Sequence, residues 1–159
     1  MSATIHASAV LVGATALLIQ GPSGSGKSRL ALRLIQASQS GALKFARLVG
    51  DDRVHIEAHD GRLLVRPAER LSGLMEVRGL GIRCVPYEKL AVVGFAIEIG
   101  ANNAERLPDE ASSIAEYAGI SLPRLAVAQE MDPLPVVLAY LATSEGANAA
   151  PRWARNATE

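Results

Sequence analysis

The sequence holds a single cysteine, no excess of either charge and no long apolar run. Each absence removes a class of protein. Cys84 alone cannot close an internal disulfide, which points to a reducing compartment. Lys and Arg number 16, as do Asp and Glu; the basic excess typical of nucleic-acid binders is missing. Nothing approaches the roughly 18 apolar residues of a membrane-spanning helix. The apolar stretch from Ala7 to Ile19 has no basic flank and runs into glycines rather than a cleavage site, so it does not read as a secretory signal. There is no internal repeat and no long linker. A soluble cytoplasmic protein with neither nucleic-acid nor membrane partners is expected.

What is present is the composition of one globular domain: 159 residues, 49% hydrophobic and 20% charged, enough to bury a core of its own. Residues 1–142 are expected to form that domain. Residues 143–159, mixing Gly, Asn, Ala, Pro and charge, read as a flexible tail.

The most informative stretch is Gly21-Pro22-Ser23-Gly24-Ser25-Gly26-Lys27-Ser28. It has the G-x-x-x-x-G-K-S form of a loop that cradles nucleotide phosphates. Its backbone N–H groups point inward, and the following helix adds the positive end of its dipole. Lys27 would reach the β- and γ-phosphates, and the Ser28 hydroxyl would ligate Mg²⁺. The alternative is a chance glycine-rich turn. The flanks favour the loop. Ser8–Val12 and Ala16–Gln20 read as a hairpin about Gly13, and Arg29–Ala37 sets Leu30, Leu34 and Ala37 on one helical face.

Downstream, Ala46–Gly50 reads as an apolar strand ending on Asp51 and Asp52. Val54–Glu57 and Arg62–Arg66 flank the Asp60-Gly61 turn and predict a second hairpin. Leu74–Arg78, Leu90–Ile99 and Leu122–Ala128 read as strands, Glu110–Ala118 as a short helix and Leu134–Ala142 as an apolar helix. Hairpins outnumber strand–helix–strand crossovers, so the fold expected is α+β with a mixed sheet. Small-molecule kinases with this loop normally alternate strand and helix about a parallel sheet instead.

Asp51 and Asp52, at a strand end near the loop, could hold Mg²⁺ or accept a proton from a hydroxyl nucleophile; a turn or capping pair is the plain alternative. On an extended chain the two point to opposite sides, one facing the phosphates and one supporting it. His6, read as beginning the first strand, is by itself an ordinary surface histidine. Glu76 and Arg78 could be a cross-sheet ion pair, Arg106 a solvated loop arginine, Cys84 a small core residue and Trp153 a packing residue of the tail.

Together, Ile5–Val12, Gly21–Ser28, Leu48–Val54, Met75–Ile82 and Glu105–Asp109 resemble the catalytic domain of the bacterial HPr kinase/phosphorylase family. The resemblance spans roughly residues 4 to 128, and the string EVRGLGI is its most specific element. It implies a fold related to phosphoenolpyruvate carboxykinase rather than to the alternating nucleotide kinases. It also implies an ATP- and Mg²⁺-dependent protein-serine kinase acting on HPr, the phosphocarrier of the bacterial sugar phosphotransferase system. His6 then matches a histidine used near the phosphates. Asp52 matches the aspartate that takes the serine proton and returns it in the reverse reaction. Glu76 joins Ser28 as a Mg²⁺ ligand, Arg106 matches a catalytic arginine, and Met75–Cys84 matches a segment serving both directions.

This sequence departs from the family in three places. Without the family's amino-terminal domain ahead of His6, a shortened form is expected. The stretch Gln129–Pro133 is acidic where the family carries a basic loop tied to dephosphorylation, and an acidic loop repels phosphoserine. Kinase activity is therefore expected ahead of phosphorolysis. The carboxy-terminal part, which in the family helps build a hexamer and bind HPr, is short and different. A homo-oligomer is implied, with the hexamer left open, as is ATP against pyrophosphate as donor. Two other readings are a small-molecule phosphotransferase and an ATP-sensing regulatory module that transfers nothing.

Overall fold

The computed structural model describes residues 2–104 and 108–143. The fold is α+β, as the hairpin count predicts. One large mixed sheet carries most of the strands, and two helices pack against it. β1 (Ser2–His6), β5 (Arg53–His59), β6 (Arg62–Pro67), β9 (Ala91–Ile99), β3 (Thr15–Gln20), β2 (Ser8–Val12) and β4 (Ala46–Gly50) lie side by side in that order.

The organising strand is β9, whose run of apolar residues is buried almost throughout. One edge pairs in parallel with β3. The start of the other edge pairs antiparallel with β6, and its end pairs in parallel with β11 (Ile120–Val127). Both predicted hairpins form. Gly13 turns β2 into β3 at φ +65°, and Asp60-Gly61 turns β5 into β6 with both residues at positive φ, as a tight hairpin turn demands.

α1 (Lys27–Gln39) buries Leu30, Ala31 and Leu34 in a core shared with Leu17, Ile19, Phe95 and Ile97 on one face of the sheet, and Ala37 is buried too. Each buried leucine contributes about 1.5–3 kcal/mol by leaving water. The opposite face holds a second core that includes Ala7, Ala9, Leu18, Val54, Leu63, Val65 and Leu122. α2 (Pro133–Ala142) leans on α1. No helix among the described residues is long and apolar enough to cross a membrane.

Four sequence expectations need correction. His6 ends a strand instead of beginning one, because β1 precedes it and pairs with β5 through His6–Arg53. Glu110–Ala118 is no helix. It turns at Glu110–Ser113 and enters β10 (Ile114–Tyr117), which finds its backbone partners on β11. β7 (Leu74–Val77) turns through Gly79 into a further strand, β8 (Gly81–Cys84). β8 is exposed along its whole length, so Cys84 lies on the surface and not in the core. Trp153 and the predicted tail from residue 144 onward lie outside the described residues.

Candidate active site

The glycine-rich loop leaves the end of β3, the strand beside β9, and runs into the amino terminus of α1. Gly24 and Gly26 take φ of +77° and +100°, which side chains with a Cβ avoid. Gly21 is required for a different reason. A Cβ there would sit 2.6 Å from both the Ile99 carbonyl oxygen and Ser25 Oγ.

The head of α1 is bare. Its N-cap is Gly26, no side chain caps it, and its first turn has no acidic residue. Its leading N–H groups therefore have no partner from a capping side chain. Ser25 Oγ is buried and makes no hydrogen bond. Lys27 Nζ donates to the Gly21 and Pro22 carbonyls at 2.9 and 3.1 Å, folded back on its own loop. Idle donors, a helix dipole and a held ammonium together suit a polyanion such as a triphosphate.

Asp51 is the hub beneath the loop. It is 5% exposed. Its Oδ1 accepts the hydroxyl of Ser28 at 2.7 Å and that of fully buried Ser8 at 2.6 Å. Its Oδ2 faces the Glu76 N–H at 3.4 Å. One carboxylate thus gathers Ser28 from α1 and Glu76 from β7, the two residues the resemblance names as metal ligands. Ser28 donates its proton to Asp51, which leaves its oxygen lone pairs free for a cation. Among the described residues no three His, Cys, Asp or Glu side chains cluster as a ready-made cage. A serine oxygen and the exposed Glu76 carboxylate, with the phosphates of a nucleotide, would nevertheless form the oxygen donor set that Mg²⁺ takes while keeping several waters.

Asp52 separates from Asp51 by a turn, not by strand alternation. Its φ is +67°, and the Arg53 N–H reaches back to the Asp51 carbonyl at 2.8 Å. This backbone conformation is one that non-glycine residues adopt sparingly, Asp more readily than most. The result is that Asp51 faces inward and Asp52 stands exposed. The Asp52 N–H faces Ser8 Oγ at 3.4 Å, and its carbonyl accepts the Ala7 N–H at 3.1 Å. That second bond draws the chain just after His6 to the acidic turn. His6 Nε2 lies 3.1 Å from an Arg53 guanidinium nitrogen, so the arginine donates to it.

Ser28 and Glu76 therefore meet at Asp51, with Asp52 beside them through Ser8; His6 contacts Arg53, and Lys27 contacts the Gly21 and Pro22 carbonyls. Arg106 lies outside the described residues. Sequence reasoning singled out Asp52 of the acidic pair. It missed Asp51 as the residue that holds Ser28, and it missed Ser8, whose hydroxyl looks in sequence like any strand serine.

The acidic stretch after β11 is less free than its composition implies. Arg33 of α1 holds Asp132 at 2.5 and 3.0 Å through both terminal nitrogens, and Asp132 also caps α2 through the Leu134 N–H. The Arg33 hydrogen bonds, then the Leu134 N–H, hold the Asp132 carboxyl below the usual carboxylate range. A lowered native pKa stabilises the fold above the unfolded value and loses that contribution as pH falls through the native one. Asp132→Asn keeps a capping side chain and removes the charge. Urea midpoints of the two proteins should differ modestly at neutral pH and converge as the pH falls from the ordinary carboxylate value of about 3.9 through the lowered native one. A gap that stays constant with pH would contradict this.

A bare, glycine-built loop between a strand and a helix, underlain by a buried aspartate, in a mixed sheet of hairpins: these define the class. The family described as the HPr Serine kinase C-terminal domain matches residues 1–87. The chain belongs to that family. The HPr kinase/phosphorylase of Streptococcus thermophilus is 44% identical over 80 residues, covering 50% of this chain and 24% of the relative. That of Streptococcus uberis is 34% identical over 135 residues, 78% of this chain and 41% of the relative. The chain thus spans well under half the length of these curated relatives. The structure of the Hpr(Ser) kinase/phosphatase from Coxiella burnetii covers 88% of each chain with a TM-score of 0.69 at 23% identity, and so shares the fold.

Proposed function

We propose that this chain is an ATP-dependent cytoplasmic protein-serine kinase that phosphorylates HPr or an HPr-like phosphocarrier, with residues 1–142 as its catalytic unit. What supports the reading most is the Asp51 hub, which brings Ser28 and Glu76 together beneath the loop. The nucleotide's phosphates would take backbone N–H groups of residues 23–28, Pro22 having none to give, and would draw Lys27 off its loop carbonyls. Ser28 and Glu76 would hold Mg²⁺, which would supply positive charge to offset that of the phosphates. Asp51 keeps the Ser28 hydroxyl turned for that role. Asp52, exposed beside the loop, accepts the proton of the attacking serine. The family resemblance assigns His6 and Arg106 roles at the phosphates.

An exposed Asp52 fits a substrate that is itself a folded protein, because the base must be reached from outside. Phosphorolysis is the weaker direction. Gln129, Glu130 and Asp132 present no cation to a phosphoserine, and Asp132 is already engaged by Arg33.

The test is incubation of the purified protein with Mg²⁺-ATP and HPr from the same organism, followed by the intact mass of HPr. One added phosphate supports the kinase, and excess inorganic phosphate added afterwards probes the reverse reaction. ATP binding without transfer would favour the sensor reading. Transfer to a small acceptor but not to HPr would favour the small-molecule phosphotransferase.

A further inference from the structure

Successive residues of a strand face opposite sides, and β5 and β6 sort their side chains accordingly. Val54, Ile56, Leu63 and Val65 are buried in the second core. Arg53, His55, Glu57 and His59 share the outer face with Arg62, Leu64 and Arg66. β1 adds Thr4 and His6, which pair in register with His55 and Arg53. The outer face of these three strands thus gathers three arginines and all three histidines of the chain. The arginines are exposed, as are His6 and His59. Among the described residues of this face Glu57 is the one acid; Asp60 follows at the hairpin turn, its Oδ2 3.4 Å from His59 Nε2. The whole chain balances 16 basic against 16 acidic residues, so the charge is segregated here.

The pairing gives the sheet itself little reason for this arrangement. His55 lies opposite Arg66 and His59 opposite Arg62, pairs that repel once the rings are protonated. Glu57, opposite Leu64, is diagonal to both Arg62 and Arg66, one carboxylate between two cations. One end of the face is the acidic turn of the candidate site. Arg53 follows Asp52 directly, His6 pairs with Arg53, and the Ala7 N–H meets the Asp52 carbonyl at 3.1 Å. β5 has seven residues, so the face extends about 20 Å from Asp52.

We infer that the outer face of β1, β5 and β6 docks the protein that accepts the phosphate, engaging an acidic patch on it and so bringing its serine to Asp52. The inference rests on the kinase reading above and adds where the acceptor is held and by what chemistry. Guanidinium groups fork onto carboxylates, and imidazole rings add N–H donors. Leu64 offers an apolar contact between the two arginines of β6. No aromatic side chain among the described residues of this face is placed to stack a base, unlike a platform for single-stranded nucleic acid.

The experiment compares the unmodified protein with Arg62→Gln/Arg66→Gln, with Arg62→Lys/Arg66→Lys, and with Lys44→Gln/Lys89→Gln, which removes two exposed charges elsewhere. Read out are kcat and KM for HPr, ATP affinity by fluorescent nucleotide, and the thermal midpoint, at about 50 and 300 mM salt. Charge steering changes association rates by about 10- to 1000-fold and fades with salt. Arg62→Gln/Arg66→Gln should accordingly raise KM for HPr about 10-fold at low salt, with kcat, ATP affinity and midpoint unchanged. The lysine pair should restore most of the KM, and Lys44→Gln/Lys89→Gln should match the unmodified protein. Salt should raise the KM of the unmodified protein more than that of Arg62→Gln/Arg66→Gln. An unchanged KM, an equal rise in Lys44→Gln/Lys89→Gln, or a loss confined to kcat or ATP affinity would overturn the inference. Lost binding to phosphatidylserine vesicles or duplex DNA with KM for HPr unchanged would assign the face to a membrane or to nucleic acid, and overturn it too. If Arg62→Gln/Arg66→Gln does not fold, the unmodified protein decides, and a KM that is constant with salt overturns it. Failure of the unmodified protein to phosphorylate HPr would instead overturn the kinase reading, and this inference with it.

Discussion

Replacing Asp51 by alanine should both loosen the fold and abolish Mg²⁺-dependent nucleotide binding. Three donors converge on this carboxylate: the hydroxyls of Ser8 and Ser28 and the Glu76 N–H. Ser8 is fully buried, so its hydroxyl cannot turn to water when its acceptor is lost. Leaving a buried donor unsatisfied costs about 1–3 kcal/mol. The functional loss has the same origin. Without Asp51, the Ser28 oxygen is not aimed and the Glu76 backbone is not tied to the loop. Urea unfolding should show the lost stability. Nucleotide titrations with and without Mg²⁺ should show that the metal no longer strengthens binding. A folded Asp51→Ala protein with undiminished Mg²⁺ enhancement would remove the hub from the account.

Asp52→Asn should separate chemistry from binding. Asp52 is exposed, so the fold depends little on its charge; surface changes of this kind fall within about 0.5 kcal/mol. Asparagine also tolerates the positive φ that Asp52 adopts, so the Asp51-Asp52-Arg53 turn persists. What disappears is the proton acceptor, and losing a general base slows a reaction by about 10²- to 10⁴-fold. ATP affinity and unfolding midpoint should match the unmodified protein while transfer to HPr collapses. Transfer at the original rate would assign the proton to another group. A sensor would keep its function through this change.

Much of the fold was legible because its punctuation is local. Asp60-Gly61 announces a hairpin, and G-x-x-x-x-G-K-S between an apolar strand and an amphipathic helix announces the loop. The misreadings lie where tertiary pairing outweighs local preference. Residues 110–118 are rich in Ala, Ser and Glu and look helical, yet Ile114–Tyr117 satisfies its backbone on β11. β8 is exposed at every residue, so no apolar alternation marks it, and Cys84 could not be placed from sequence. β1 is short and holds an edge position on β5.

The site divides in the same way. Residues named by a motif, Lys27 and Ser28, were readable at once. The choice between Asp51 and Asp52 was not, because strand alternation separates neighbours without saying which one faces the loop. That answer comes from a positive φ at Asp52 and from a buried serine 43 positions before Asp51.

The most direct measurement locates the phosphate. HPr incubated with this protein and Mg²⁺-ATP would be fragmented by mass spectrometry and the modified residue read. The account predicts a single phosphate on a serine side chain, transferred from ATP. HPr left unmodified under conditions where ATP is bound, or phosphate on any other residue type, would contradict it.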